Sequence, residues 1–238
     1  MRVWIEDNDF RRYEIRDVGF MSSLPLILFD MDGTLLDTRL DIARAANAAR
    51  RELGLTPMTV DEVVAAVGDG VDLFVSRVTY PRDDQRFSHA RGVFLRHYEE
   101  NVIHETIPYL GITDLLNELS RIDVPMAIVS NKPAKLVDQL VRHFKWETIF
   151  KTWLGGDSTA EAKPSHLPLF SARQQAGLGA DRAIIMVGDG NQDILAAKSA
   201  GCRAVWCSWG FNAAPTLEYP SIRIDHPAEL LLTITKHS

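Results

Sequence analysis

The sequence predicts a doubly wound, Rossmann-like α/β fold: a parallel sheet flanked by helices, with a small all-helical domain inserted after the first core strand. Apolar runs without polar alternation, such as Leu26–Phe29, are typical of strands buried on both faces of a parallel sheet. Two further runs, residues 125–129 and 183–188, are each followed by a polar residue and a helical pattern. Residues 38–105 show helical patterns and no strand-like alternation, which predicts the insertion.

These patterns divide the chain into a core domain, an inserted domain and an N-terminal extension. The predicted core consists of residues 25–37 and 106–238, and the predicted helical domain of residues 38–105. Residues 1–24 precede the first core strand. This extension is either a small β-hairpin, with residues 7–9 as its turn, or a segment without fixed structure.

The composition is that of an ordinary globular protein. A hydrophobic content of 46% in 238 residues is enough for a core, and a net charge of -6 gives no electrostatic basis for nucleic acid or anionic membranes as partners. No apolar run approaches the roughly 18 residues of a membrane span, and the charged N terminus does not resemble a signal peptide. With only two cysteines, Cys202 and Cys207, a reducing cytoplasm is expected. Monomer and homodimer both stay open.

The first strand ends at a pair of aspartates, Asp30 and Asp32. Residues two apart in an extended chain point the same way, so both carboxylates can project beyond the carboxyl end of the strand, where open α/β sheets bind ligands. Gly33 then permits a turn. Two adjacent carboxylates are costly unless a cation separates them or one keeps its proton, which suits a nucleophile and a proton donor. A plain polar turn is the alternative; a calcium loop is excluded because Thr34 and Leu35 stand where an acid and a glycine are needed.

Helix-start patterns open the predicted insertion. Thr38, with Asp41 three residues later, predicts a variant capping box, and Thr59 with Glu62 predicts a second one. Further helices are expected near residues 71–79 and 84–101, separated from the second box by the glycine-containing stretch around Gly68.

Two later strand ends carry further polar residues. Ser130 follows the strand at residues 125–129 and precedes a helix, so its hydroxyl and the free N–H groups favour a phosphate site or, more simply, a helix cap. Asp189 follows the strand at residues 183–188, with Asp193 four residues on. The glycines at 188 and 190 suggest a dinucleotide loop, but Asp193 would repel a pyrophosphate, so oxygen ligands for Mg²⁺ are the better interpretation.

Four motifs, in this order, resemble those of the haloacid dehalogenase-like superfamily, whose members are mostly phosphatases. They are residues 30–34, residues 130–132, the Lys163–Pro164 pair and residues 189–193. The true dehalogenases of the superfamily lack the second aspartate of the first motif, so the presence of Asp32 favours phosphoryl transfer. The helical insertion resembles the small cap domain of many members, which closes over the active site.

The resemblance implies a role for each motif residue. Asp30 would be the nucleophile, Asp32 the acid and base, Ser130 the residue that binds the phosphoryl group, and Lys163 the cation that offsets charge on the nucleophile and phosphate. Mg²⁺ would be held by Asp30, the Asp32 backbone carbonyl and Asp189.

Other positions join this site with smaller roles. Asp193 would be a further metal ligand or would support the metal from the second layer of residues. The N–H groups around Gly33 and Thr34 are expected to donate to the phosphoryl group. The family more often has Ser at position 190 and Asn at position 192, where this chain has Gly190 and Gln192.

Two short stretches resemble the phosphoglycolate phosphatases within the superfamily: residues 67–73 in the insertion, and residues 209–212, which follow a last predicted strand at residues 204–207. This resemblance implies that Gly68 faces the catalytic residues, whereas a tight turn at a helix junction, and an ordinary surface loop at residues 209–212, are the plain alternatives. Arg77 is a candidate partner of a substrate carboxylate, although an exposed arginine is the ordinary alternative. Asn131, in the second motif, is also a candidate substrate-binding residue.

The expected reaction is hydrolysis of a small phosphorylated metabolite, with 2-phosphoglycolate as the first candidate. Phosphatases of nucleotides or sugar phosphates, and a β-phosphoglucomutase-like isomerase, are alternatives within the same fold. A non-catalytic binding module is disfavoured because it would not need so many converging charges. No lysine precedes Lys132, which excludes the Schiff-base chemistry of phosphonoacetaldehyde hydrolases.

Overall fold

A six-stranded parallel sheet forms the centre of the molecule in a computed structural model that describes residues 3–6, 12–15, 24–212 and 221–235. The strands of this sheet are β3 (Leu26–Phe29), β6 (Met126–Val129), β7 (Thr152–Leu154), β8 (Ile184–Gly188), β9 (Arg203–Cys207) and β10 (Ser221–Ile224). Their spatial order is β10-β9-β8-β3-β6-β7, and all neighbours run parallel. This architecture confirms the predicted doubly wound core.

Alternation along β3 explains why its sequence is apolar throughout. Ile27 and Phe29 pack into the hydrophobic cluster on one face of the sheet, and Leu26 and Leu28 pack into the cluster on the other face. All four are almost completely buried. A central strand covered by helices on both sides has no solvated face, so it carries no polar residue until it ends at Asp30.

Helices follow most of the core strands and cover the two faces of the sheet. Their bounds are α5 (Ile112–Arg121), α6 (Ala134–His143), α7 (Leu167–Gln175), α8 (Asn191–Ala200) and α9 (Glu229–Thr235). The apolar positions of α6, among them Leu136 and Leu140, are buried against the sheet.

Residues between β3 and β6 contain the helical insertion. It comprises α1 (Arg39–Glu52), α2 (Val60–Val64), α3 (Val71–Val78) and α4 (Phe87–Asn101). A two-stranded antiparallel ribbon joins its two ends, with β4 (Leu36–Asp37) paired to β5 (Ile107–Pro108). Strands of two residues leave no periodic signal, so the sequence analysis does not predict this ribbon.

The two predicted capping boxes have different outcomes. At α2, Thr59 accepts a hydrogen bond from the Glu62 N–H, and Glu62 accepts one from the Thr59 N–H, as predicted. At α1, the prediction is wrong: the Thr38 side chain makes no cap hydrogen bond, and its hydroxyl donates to Asp32 instead. Asp41 is buried and accepts hydrogen bonds from the N–H groups of Glu105 and Thr106.

Near the N terminus, β1 (Val3–Glu6) pairs antiparallel with β2 (Arg12–Ile15). The residues suggested as their turn, 7–9, lie outside the described part of the chain. Over the described residues, the helices are too short or too polar to cross a lipid bilayer.

Candidate active site

The order of the strands brings the predicted motif residues to one place. Strand β3 lies between β6 and β8. The chain forms β6 on one side of β3 and β8 on the other, so the direction of the strand order reverses at β3. The carboxyl ends of strands around such a switch point enclose a crevice, which is where open α/β sheets bind ligands. Asp30, Ser130 and Asp189 each follow one of these three strands, and all three line a single cavity.

Lys163 connects two carboxylates at the bottom of this cavity. Its ammonium lies 2.8 Å from Asp30 Oδ1 and 2.6 Å from Asp193 Oδ1. Burial lowers the pKa of Lys163, but Asp193 and Asp30 outweigh this effect and raise the pKa to about 12. The lysine is therefore a permanent cation next to Asp30.

The loop after β9 donates hydrogen bonds to Asp189. Asp189 Oδ2 accepts hydrogen bonds from the Phe211 N–H at 2.7 Å and from Asn212 Nδ2 at 3.0 Å, while Thr34 Oγ1 lies 3.4 Å from Oδ1. Gly33 has a φ of +83°, and a Cβ there would lie 2.5 Å from Asp189 Oδ2. Only glycine leaves room for the aspartate at this turn.

Three carboxylates form a compact anionic group that suits a hard divalent cation. Oxygen atoms of Asp30, Asp189 and Asp193 all lie within 4.8 Å of one another. Burial raises the pKa of Asp30 to about 7 despite Lys163, with Asp193 and Asp189 adding to the rise. Burial, followed by Asp193, raises the pKa of Asp189 to about 6. A cation bound by oxygen ligands would offset this repulsion.

Asp193 has both of its carboxylate oxygens engaged by the protein. Oδ1 accepts from Lys163, and Oδ2 accepts from the Gly190 N–H at 3.0 Å. Gly188 permits this arrangement, because a Cβ at that position would lie 2.1 Å from the Asp193 carboxyl group. Asp193 thus orients Lys163 and closes the first turn of α8.

Asp32, two residues after Asp30, has its own set of hydrogen-bond partners. It accepts a hydrogen bond from Thr38 Oγ1 at 2.8 Å, and its two oxygens lie 2.8 and 2.9 Å from Lys132 Nζ. Lys132 also donates to the Tyr98 hydroxyl, which belongs to α4 of the helical insertion. Asp32 is therefore linked to the insertion through a buried lysine.

Ser130 and Asn131 lie between the core and the insertion. Ser130 is buried, lines the cavity, and accepts a long hydrogen bond from the Lys132 N–H at 3.3 Å. Asn131 donates to the carbonyls of Gly68 and Lys163, both at 2.9 Å, and accepts from the Lys163 N–H. Both amide hydrogens of Asn131 are thus used to hold two loops together.

In the turn after β3, the Gly33 and Thr34 amides, which were predicted to bind phosphate, donate to backbone carbonyls. The Gly33 N–H donates to the Leu36 carbonyl at 2.9 Å, and the Thr34 N–H donates to the Met31 carbonyl at 3.3 Å. These bonds shape the turn that aims Asp30 and Asp32. Contact between these two amides and a phosphoryl group therefore gains no support from the geometry.

Gly68 and Arg77 have different positions relative to the cavity. Gly68 lines it, with a φ of +125° that favours glycine. Arg77 is 44% exposed and does not line it; its guanidinium pairs with Asp69 at 2.5 Å and donates to the Ala66 carbonyl. Asp69 also accepts from Gln192, so this arginine braces a contact between insertion and core.

The insertion supplies an apolar wall opposite the charged groups. Ile42, Val67, Val71, Phe74 and Phe94 line this side of the cavity. A cavity with a charged floor and an apolar wall excludes water from the reacting groups, which strengthens electrostatic interactions within it.

Sequence analysis missed several residues of this site. Lys132 and Thr38 contact Asp32, Tyr98 contacts Lys132, and Asn212 contacts Asp189. Lys132 lies within the second motif, but that motif assigns it no role. Tyr98 gave no signal, because an aromatic residue at a helical spacing usually indicates only a packed core.

Known proteins resemble this chain over the whole region that forms the site. Residues 27–207 match the family model for haloacid dehalogenase-like hydrolases. A phosphoglycolate phosphatase from Chromobacterium violaceum is 34% identical over 205 residues, covering 83% of this chain and 90% of the relative. One from Neisseria gonorrhoeae is 37% identical over 191 residues, covering 78% and 80%. The crystal structure of a predicted phosphoglycolate phosphatase from Haemophilus somnus superimposes with a TM-score of 0.82 at 29% identity, covering 90% and 99%.

Proposed function

The chain belongs to the haloacid dehalogenase-like hydrolase family, and we propose that it is the member that hydrolyses 2-phosphoglycolate with the help of Mg²⁺. Its curated relatives are named for a phosphatase activity, and the chain is a phosphatase. The identity of the phosphomonoester is taken from the names of those relatives. The observation that carries the proposal is the convergence of Asp30, Asp32, Ser130 and Lys163 in one cavity.

In the proposed reaction Asp30 attacks phosphorus. A bond forms between its carboxylate oxygen and phosphorus while the bond from phosphorus to the ester oxygen breaks, giving an aspartyl phosphate and glycolate. Asp32 gives its proton to the departing oxygen. In the second half, Asp32 takes a proton from water, whose oxygen attacks phosphorus and releases inorganic phosphate and the Asp30 carboxylate.

Charge neutralisation is the main contribution of the remaining residues. The transferring phosphoryl group carries its charge on three oxygens, and little covalent chemistry is left to the protein beyond positioning and electrostatics. Lys163, fixed between Asp30 and Asp193, and the hydroxyl of Ser130 would bind these oxygens.

The carboxylate group of the site fits the proposed metal. Asp30, Asp189 and the backbone carbonyl of Asp32 would hold Mg²⁺, and Asp193 would support them, because both of its oxygens already accept hydrogen bonds. When bound, Mg²⁺ supplies positive charge that keeps Asp30 ionised and offsets the charge of the phosphate.

The helical insertion would act as the cap of this site. Two hydrogen bonds, from Asn131 to the Gly68 carbonyl and from Gln192 to Asp69, connect the insertion to the core next to its apolar wall. In this position it excludes bulk water, which would otherwise compete with the proposed phosphoryl transfer. A reducing cytoplasm is the compartment that we propose for the enzyme.

Phosphate release from a panel of phosphomonoesters tests the proposal. The panel contains 2-phosphoglycolate, nucleoside monophosphates and hexose phosphates, each measured with Mg²⁺ and with EDTA. We expect the highest kcat/KM for 2-phosphoglycolate, loss of activity in EDTA, and loss in Asp30→Asn but not in Asp114→Asn, which changes an exposed carboxylate on α5.

Each other outcome has a separate meaning. Broad activity, or preference for another ester, would remove 2-phosphoglycolate and leave the mechanism in place. Full activity of Asp30→Asn would show that the nucleophile is misassigned. An absence of Mg²⁺-dependent turnover on every ester would favour a non-catalytic binding module.

A further inference from the structure

We propose that Lys132 is the specificity-determining residue of this site: it binds the carboxylate of the substrate beside the ester oxygen that is cleaved. The inference rests on the proposed function, because it presupposes a substrate that carries a carboxylate near its phosphate. It replaces Arg77, whose guanidinium does not line the cavity, as the cation for that group.

Lys132 occupies a position that an ordinary surface lysine does not. Its side chain is 1% exposed, the residue lines the cavity, and its ammonium lies between Asp32 of the core and Tyr98 of the insertion. It also lies 4.5 Å from the centre of the Tyr98 ring, where a cation is attracted to the aromatic face. Burying an ammonium is costly, and among the described residues the Asp32 carboxylate offsets this cost.

Charge in the cavity points to an anionic partner for this lysine. Among the described residues that line the cavity, the cations are Lys132 and Lys163. Lys163 is held between Asp30 and Asp193, on the side where phosphorus would lie. Lys132 is therefore the cation that is left for a second anionic group of a substrate.

The donors of Lys132 allow one more partner. An ammonium has three N–H donors, and Lys132 Nζ lies within hydrogen-bond distance of both Asp32 oxygens and of the Tyr98 hydroxyl. One donor is enough for the Asp32 carboxylate, so a ligand in the cavity would take over the second contact with Asp32.

The chemistry of 2-phosphoglycolate places its carboxylate beside the same aspartate. In the proposed reaction Asp32 contacts the ester oxygen, and a single methylene separates that oxygen from the carboxylate. A cation that contacts Asp32 is therefore within reach of the carboxylate, whereas Lys163 is on the side of the nucleophile. Esters without this group would leave Asp32 as the charged partner of Lys132 among the described residues.

The test compares 2-phosphoglycolate with 2-phosphoglycolamide. This analogue has about the same size and the same phosphate, but a neutral carboxamide replaces its carboxylate. In the wild-type enzyme we expect kcat/KM to be about 30-fold or more lower for the amide, the usual cost of removing one partner of a buried charge pair. Lys132→Met should remove most of this difference, mainly by lowering kcat/KM for 2-phosphoglycolate. Lys132→Arg, which keeps the charge, should retain more of the preference than Lys132→Met does.

Two further variants complete the design. Lys135→Met removes an exposed lysine of α6 that pairs with Glu99, and it should leave the ratio of the two rates unchanged. Lys132→Gln keeps a hydrogen-bonding group next to Asp32 without the charge, and it takes the place of Lys132→Met if that variant fails to fold.

Two results would overturn the inference. Equal kcat/KM for both esters in the wild-type enzyme would exclude carboxylate recognition without the use of any variant. Equal losses for both esters in Lys132→Met or Lys132→Gln would show that the lysine only positions Asp32. Failure of 2-phosphoglycolate in the ester panel is a different result, because it overturns the proposed substrate itself.

Discussion

At the scale of single residues, the site depends on how closely the backbone of the first turn approaches Asp189. Gly33 has a φ of +83°, and a Cβ there would lie 2.5 Å from Asp189 Oδ2. A side chain at position 33 therefore displaces a proposed metal ligand in addition to straining the backbone.

The expected effect of Gly33→Ala is a loss of activity on the order of 100-fold, because a shift of about 1 Å in a catalytic group can cost this much. The matched control is Gly54→Ala: Gly54 also has a positive φ, +71°, but nothing lies within 4 Å of a Cβ there. Both variants should lose about 1 kcal/mol of stability from backbone strain, measured by urea denaturation. Equal losses of kcat in the two variants would contradict this view of Gly33.

At the scale of helices and strands, the starts of α1 and α2 use threonine in two different ways. Thr59 completes a capping box at α2, whereas Thr38 precedes α1 and donates to Asp32 at 2.8 Å. The first threonine stabilises a helix, and the second holds a proposed catalytic side chain.

Replacing each threonine by valine, which has the same shape, should separate these roles. Thr38→Val removes a hydrogen bond to a partly buried carboxylate and should lower kcat about 10-fold. Thr59→Val should leave kcat unchanged and lower the free energy of unfolding by about 1 kcal/mol. Steady-state kinetics and urea denaturation on both proteins provide the measurement, and an unchanged kcat in Thr38→Val would show that Asp32 does not need this donor.

At the scale of the whole molecule, the buried carboxylates make stability depend on pH. The pKa of Asp30 is raised from 3.8 to about 7 by burial against the pull of Lys163, and that of Asp189 is raised to about 6. A carboxyl group whose pKa is higher in the folded protein binds its proton more tightly when folded. Its stabilising contribution is complete below about pH 4 and is lost as the pH rises through the folded pKa.

Thermal denaturation of the EDTA-treated protein between pH 4 and pH 8 tests this expectation. The Tm of the wild-type protein should fall relative to that of Asp30→Asn as the pH rises from 4 to above 7, since the variant has no proton to lose at this position. Mg²⁺ should raise the Tm of the wild-type protein most at the upper end of this range, where the carboxylates are ionised.

Asp225→Asn provides the control for this measurement. Asp225 is exposed, and hydrogen bonds from Ser208 and Arg223 lower its pKa, so it titrates below the range of interest. Its variant should follow the wild-type curve above pH 4. If Asp30→Asn follows that curve too, Asp30 does not titrate near neutral pH in the metal-free protein.

The sequence alone determined three neighbouring strands of the sheet, β3, β6 and β8, and the residues at their ends. A strand buried on both faces must be apolar until it leaves the sheet, so the first polar residues after Leu26–Phe29 and Ile184–Gly188 mark the edge where ligands bind. Asp30, Asp32 and Asp189 could therefore be located, because the alternation of side chains along a strand is a local property.

Only the tertiary structure decided which partners these residues have. Lys132 and Arg77 are both long cations whose direction depends on packing, and α4 turns the first into the cavity while Asp69 holds the second outside it. Thr38 looked like a helix cap because its sequence neighbours fit that pattern, yet Asp32 is the acceptor within its reach. Contacts between residues distant in sequence leave no periodic signal, so the chemistry of single side chains was readable from the chain and their pairing was not.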